Sequence, residues 1–388
     1  MSTLLTFIGR GAANRTGGVG RYQALNYLLP DGQLTASVTY LGEALITRYQ
    51  PQRLVVAGTS GSMWDQLLTQ LSGQWSEDEQ LALIESVDEK NVTPAQLTSL
   101  EQALMTSTGR QVSLVLLPDT ATPAAQAEFI VTLCAAVKQG ESLIIDVTHG
   151  FRFMPILALT CLQYLQYIKG VEIEEMLYGA LDGDKGEVFS LNNVLQLSGW
   201  VRALGQFDHS GDFSVFGPLL KREGWDNDKI NELLRAAFYE RITNATKAAQ
   251  SAQNVLRADF DGAMAELIQP QLNARLQWIS ETGRGARERA LAHQYLQRHD
   301  YLRAVIYAQE GLISSHLYSE KADEHNFDAR DEAKRTLADN AADFRLLSQL
   351  RNNLAHGVRS HNNHINKLLS DEATLQKELA RLFKALKV

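Results

Sequence analysis

Five short, almost continuously apolar runs frame the first half of this chain: Leu4–Ile8, Arg53–Ala57, Val112–Leu117, Leu143–Val147 and Val171–Ala180. Helical patterns separate them at Gly42–Tyr49, Ser62–Leu71, Ala124–Lys138 and Met154–Ile168, and Val38–Leu41 reads as one further strand. Strands that are apolar on both faces and alternate with helices require a mainly parallel sheet covered on both sides. After about Leu191 the strand signals stop. Long helical patterns follow at Asn231–Ala249, Arg287–Leu317 and Asp331–Ala355, and a last helix is expected at Glu372–Leu386. The stretch Ser198–Asp228 is rich in Gly, Phe and Trp and reads as a connector with its own small packing cluster. The expected division is an α/β unit over 1–192, a connector over 193–230 and a helical unit over 231–388.

Bulk properties narrow the function. A length of 388 residues suits two domains. A formal charge of -8 argues against a surface that coats polyanions generally, so nucleic-acid contact should be local. Residues 351–388 depart from the average, with seven Lys/Arg against three Asp/Glu. Either a phosphate-facing surface or a solvated amphipathic helix explains that bias. Cys134 and Cys161 lie in apolar helical patterns and read as buried small hydrophobes, not as a disulfide or zinc site. No secretion signal is visible at the N-terminus, and the apolar helix around Pro155–Ile168 is too short and interrupted to cross a bilayer. A cytoplasmic enzyme or sensor is expected.

In a parallel sheet, ligands sit beyond the C-terminal strand ends. Those ends carry Gly9-Arg10-Gly11, Gly58-Thr59-Ser60-Gly61-Ser62 and Asp146-Val147-Thr148-His149-Gly150-Phe151-Arg152. Small hydroxyl residues, open backbone N–H groups and arginines suit phosphate or ribose. Neither G-x-G-x-x-G nor G-x-x-x-x-G-K-[ST] occurs, which disfavours dinucleotide binding and excludes a P-loop NTPase. The serines of the second loop lack a strand-to-helix elbow with clear Asp and His partners, which argues against an α/β-hydrolase. For the third loop two accounts stand side by side. Asp146 and Thr148 cap the next helix while His149 orders the loop, or the loop contacts a ligand.

Near the C-terminus, Arg351-Asn352-Asn353-Leu354-Ala355-His356 ends a helical pattern before Gly357. A guanidinium that holds phosphate oxygens and an imidazole that moves protons suit metal-free cleavage of a phosphodiester. Asn352 and His356 share a face. Arg351 and His356 are five apart, so they point about 140° away from each other. On spacing alone, a pair of cations favoured at a helix C-terminus is the simpler account.

Together these segments resemble the CRISPR-associated ribonucleases of type III systems, which pair an N-terminal CARF domain with a C-terminal HEPN domain. The third loop looks like the family's D-x-T-H-G-F-R, and Gly58–Trp64 like its second ligand loop. His299-Asp300-Tyr301 through Glu310-Gly311-Leu312 resembles the helix before the nuclease motif, which Arg351–His356 matches. The resemblance implies a Rossmann-like sensor domain that dimerises and binds a cyclic oligoadenylate messenger. It also implies a paired HEPN output that cuts single-stranded RNA without a metal. Arg351, Asn352 and His356 then become catalytic. Gly9, Arg10, Thr59, Ser60, Ser62, Thr148, His149 and Arg152 become messenger-site candidates. No cofactor is expected besides the activator. One Arg and one His are few for cleavage, so a composite site at a homodimer interface is expected, leaving a 2′,3′-cyclic phosphate. The rival readings are a sensor with a non-catalytic helical output, a ring nuclease that degrades its messenger, and an antitoxin-controlled toxin.

Overall fold

The computed structural model describes residues 2–11, 22–71, 75–182, 185–256, 265–357 and 361–388. The chain forms two compact units, Met1–Val194 and Leu195–Val388.

The first unit is built on seven strands: β1 (Ser2–Phe7), β2 (Tyr27–Leu28), β3 (Arg53–Gly58), β4 (Gln111–Leu116), β5 (Ser142–Asp146), β6 (Glu172–Asp182) and β7 (Lys185–Ser190). Their order is β2-β7-β6-β5-β1-β3-β4. Every neighbouring pair is parallel except β6 and β7, which form an antiparallel hairpin. Leu4 of β1 stands between Leu54 of β3 and Ile144 of β5. The centres of β1, β3 and β5 are largely apolar because helices cover both faces. The helices are α1 (Leu41–Tyr49), α2 (Glu77–Glu89), α3 (Pro94–Thr108), α4 (Pro123–Ala136) and α5 (Met154–Tyr167). At the foot of the sheet, buried Arg53 meets buried Glu141 at 3.0 Å and also donates to Ser113 Oγ and the Ala136 carbonyl. A buried charge pair persists when its remaining donors are satisfied in this way.

Several expected elements differ. Val38–Leu41 is not a strand: Val38 makes one bridge to Leu25, and Leu41 already opens α1. The Ser62–Leu71 helix is a 3-10 segment, Trp64–Gln70. The helices α2 and α3 were not anticipated, although each begins with a complete capping box, Ser76 with Glu79 and Thr93 with Gln96.

The second unit is helical throughout its regular elements. It comprises α6 (Asn192–Ser210), which begins in the first unit, then α7 (Gly217–Arg222), α8 (Asn227–Arg241), α9 (Ala245–Leu256), α10 (Ala265–Arg275) and α11 (Arg284–Gln297). There follow α12 (Tyr301–Ser319), α13 (Phe327–Asn340), α14 (Ala342–His356), α15 (Asn363–Leu368) and α16 (Glu372–Leu386). Each of the three long expected helices is a pair. Thr243 and His299, both left-handed at φ near 60°, break two of them, and extended Ala341 breaks the third. The segment expected as a connector supplies Trp200, Phe207, Phe213, Phe216 and Leu220 to the same buried core as α11, α12 and α16. Among the described residues, no helix is long and apolar enough to cross a membrane.

Candidate functional site

A cavity of about 260 Å³ lies beyond the C-terminal ends of β1, β3 and β5. The chain runs outward from β1 through β3 to β4, then restarts on the other side with β5. That reversal is where adjacent connections part and leave a crevice. Gly9 permits the closest approach of the loops there. A Cβ on Gly9 would stand 2.4 Å from the Gly150 nitrogen, so the β1 and β5 loops touch backbone to backbone. Buried Ser62 ties the β1 and β3 loops together, donating to the Ile8 carbonyl at 2.8 Å and accepting the Thr59 N–H at 2.8 Å. The Thr59 carbonyl accepts the Trp64 indole N–H at 2.8 Å.

Positive charge enters from two places. The Arg10 guanidinium donates to the carbonyls of Gly61, Val87 and Asp88, the last two at the C-terminal end of α2. A cation is favoured at that negative end of a helix. Lys90, left-handed at φ 62°, caps the same helix with its backbone N–H, and its side chain lines the cavity. Asp119, Phe151 and Met154 complete the wall.

The third loop supports the cavity from beneath. Asp146 is fully buried and accepts the Thr6 hydroxyl at 2.6 Å, the Thr148 N–H at 3.0 Å and the Thr148 hydroxyl. The Thr148 oxygen in turn accepts the Gly179 N–H at 2.7 Å. The His149 ring lies between Tyr22 and Tyr40, with centroids 4.4 and 5.5 Å away. Burial lowers its pKa and outweighs the opposite pull of Asp146, so the ring stays neutral. The Tyr22 hydroxyl accepts the Gly9 N–H at 2.9 Å, which links His149 to the rim without placing it there. The structure therefore brings Gly9, Arg10, Thr59, Ser60 and Ser62 together around the cavity. It sets Thr148 and His149 in the supporting frame and leaves Arg152 exposed, outside the lining. Lys90 and Asp119 were missed, and Lys90 was findable only through the Ser76 capping box that announces α2.

In the second unit, α14 buries Phe344, Leu347 and Leu350 and turns its last residues outward. Ser348 bonds Gln309 of α12 at 3.3 Å, and Asp343 bonds Arg381 of α16 at 2.8 Å, which fixes the helix on its neighbours. Half-buried Arg351 donates to Asn352 Oδ1 at 3.1 Å. Asn352 and His356 are exposed. Gly357, left-handed at φ 62°, closes the helix by donating its N–H to the Asn353 carbonyl at 2.9 Å. Arg351 and His356 keep the divergent directions that a five-residue spacing imposes.

These observations define a Rossmann-like α/β unit with a ligand-sized crevice at its strand ends, followed in the chain by an all-helical unit. Residues 3–182 match the model of the CARF domain of the CRISPR system endoribonuclease Csx1. An alignment 280 positions long that covers 66% of the chain is 19% identical to the CRISPR-associated protein MJ1674 of Methanocaldococcus jannaschii. The chain spans only 44% of that relative's length. The first unit is thus similar to the CARF domains of CRISPR-associated proteins, consistent with a CARF-containing effector of type III systems.

Proposed function

We propose that this protein is a metal-independent, single-stranded RNA endoribonuclease switched on by a cyclic oligoadenylate, and that it works as a homodimer in type III CRISPR antiviral defence. The observation that carries this reading is the solvent-facing Asn352 and His356 with Arg351 at the closed end of α14, in a chain whose residues 3–182 match a Csx1 CARF domain. The crevice supports the sensor half of the reading. Arg10 and Lys90 bring positive charge to a polar wall that includes Ser60, a chemistry suited to adenylate phosphates and ribose.

Cleavage of RNA without a metal requires the 2′-hydroxyl aligned in line with the leaving 5′-oxygen, and the developing phosphorane charge held by cations. Arg351 would clamp the phosphate, Asn352 would orient it and His356 would move a proton. A second protomer would supply a second set across a two-fold axis, which a single α14 with diverging Arg351 and His356 lacks. The messenger acts by binding the active dimer more tightly than the resting one.

Messenger cleavage by the sensor is less favoured. The hydroxyls of Thr59, Ser62 and Thr148 are engaged in the loop frame.

The test is incubation of the purified chain with end-labelled RNA in a chelator, with and without cyclic tetra- or hexa-adenylate. Cleavage is expected only with a messenger, and Arg351→Ala or His356→Ala should abolish it while messenger binding persists. Cleavage by the double variant at the wild-type rate would overturn the assignment.

A further inference from the structure

Cys134 on α4 and Cys161 on α5 meet where these two helices pack. The Cys161 sulfur also lies 4.0 Å from the Ile130 carbonyl oxygen, one turn before Cys134 on the same helix. Both are buried, but Cys161 is wholly enclosed, whereas Cys134, 6% exposed, lines an open cavity of about 400 Å³ that it shares with Val131, Tyr164 and Lys169. This cavity has no lining residue in common with the crevice at the strand ends. The Lys169 ammonium is fixed beside it, donating to the carbonyls of Cys134 and Val137 at 2.7 Å each. The neighbouring Cys161 thiol, and then the Lys169 charge, lower the Cys134 pKa against burial, while Cys134 and burial push Cys161 up. A thiol made acidic by its neighbours, open to a cavity and backed by a buried second thiol, has the parts of a reactive dithiol.

We propose that Cys134 and Cys161 form a reversible redox pair, with Cys134 as the attacking thiol, Cys161 as the resolving thiol and a low-molecular-weight disulfide as the oxidant. The Cys134 thiolate attacks one sulfur of that disulfide. A Cys134–sulfur bond forms, the oxidant's sulfur–sulfur bond breaks, and one small thiolate leaves. Cys161 gives its proton to that leaving thiolate and attacks the Cys134 sulfur, expelling the second small thiolate, which takes a proton from solvent. Two protein thiols are thereby oxidised to one bridge, and one small disulfide is reduced to two thiols. The bridge joins α4 to α5, whose first residue, Met154, lines the crevice at the strand ends.

The experiment uses the full chain, oxidised glutathione and iodoacetamide, read by peptide mass spectrometry near neutral pH under native conditions. Cys134 is expected to alkylate roughly tenfold faster than Cys161. Oxidised glutathione should produce the internal Cys134–Cys161 bridge, and Cys161→Ser should instead accumulate a glutathione adduct on Cys134. Lys169→Met should slow alkylation of Cys134. The wild-type measurements stand alone if a variant folds poorly. Equal alkylation rates at the two thiols, or a folded protein that keeps both thiols free after prolonged oxidised glutathione, would overturn the proposal.

Discussion

Gly9 carries a packing constraint that no other residue type satisfies. An added Cβ would meet the Gly150 nitrogen at 2.4 Å and its Cα at 2.7 Å, and backbone atoms cannot swing aside as a side chain would. Gly9→Ala is expected to cost about 1–3 kcal/mol, the range for overpacked sites, and to weaken messenger binding by parting the β1 and β5 loops. Denaturant unfolding together with calorimetric titration checks both effects, and an unchanged unfolding midpoint would contradict the close approach. Glu240 sets a second residue-scale expectation. It is almost fully buried, accepts the Tyr295 hydroxyl, and faces Arg298, Arg303 and Asp212. Burial raises its pKa from 4.5 to about 7 despite the help of Tyr295 and the arginines. The folded state therefore keeps a proton that the unfolded chain releases. This group's contribution to stability falls as pH rises from about 4.5 to about 7 and is level above that. Glu240→Gln removes the dependence, so its stability relative to wild type should improve across that window, by at most ~3 kcal/mol. Urea unfolding on both sides of the window measures the difference, and a gap that does not change with pH would rule out a raised carboxyl.

At the scale of elements, α14 depends on how it stops. Gly357 has φ 62° and open space around its missing Cβ, so a substitution there meets only backbone strain. Gly357→Ala should destabilise by about 1 kcal/mol, and Gly357→Asn by less, because Asn tolerates the left-handed region. Thermal melts of the two variants give the ranking, and an Asn variant that melts below the Ala variant would count against a purely conformational role. The legibility of the elements follows the same physics. The strands β1, β3 and β5 were readable because both faces are covered, which leaves a nearly continuous apolar run. The hairpin strand β7 was not, since buried Gly186 and Val188 alternate with exposed Glu187 and Phe189 and only the turn before it stands out. On α2 only Leu83 and Val87 are buried, too few for a periodic signal, so Lys90 and its place on the cavity were lost with it. The fused long helices show the converse error. The members of α8–α9 and of α11–α12 present apolar residues to one core, so the pattern runs on across Thr243 and His299, which carry no glycine to mark the break. In the candidate site, the strand-end rule found Gly9, Arg10 and the Thr59–Ser62 loop. It could not separate lining from support in the third loop, because that depends on where Tyr22 and Tyr40 pack.

For the whole molecule, the proposed chemistry depends on pairing. Within one chain Arg351 and His356 diverge, so a centre with two guanidinium and two imidazole groups requires two protomers. That requirement has a quantitative signature in mixed dimers. Let wild-type chains be co-expressed with the Arg351→Ala, His356→Ala double variant and allowed to pair at random. A wild-type chain then finds a wild-type partner with a probability equal to the wild-type fraction. Mixed dimers hold half a centre and should be inactive. Activity per wild-type chain should therefore fall to about one half at equal mixing and about one quarter at a threefold excess of variant, by the statistics of a two-fold assembly. Independent sites within each chain predict a constant value instead. Messenger binding serves as the internal control, since the variant leaves the first unit untouched and every dimer should bind alike. Cleavage measured at saturating messenger against the variant fraction decides the matter, and a flat line would remove the composite centre while leaving the sensor reading intact.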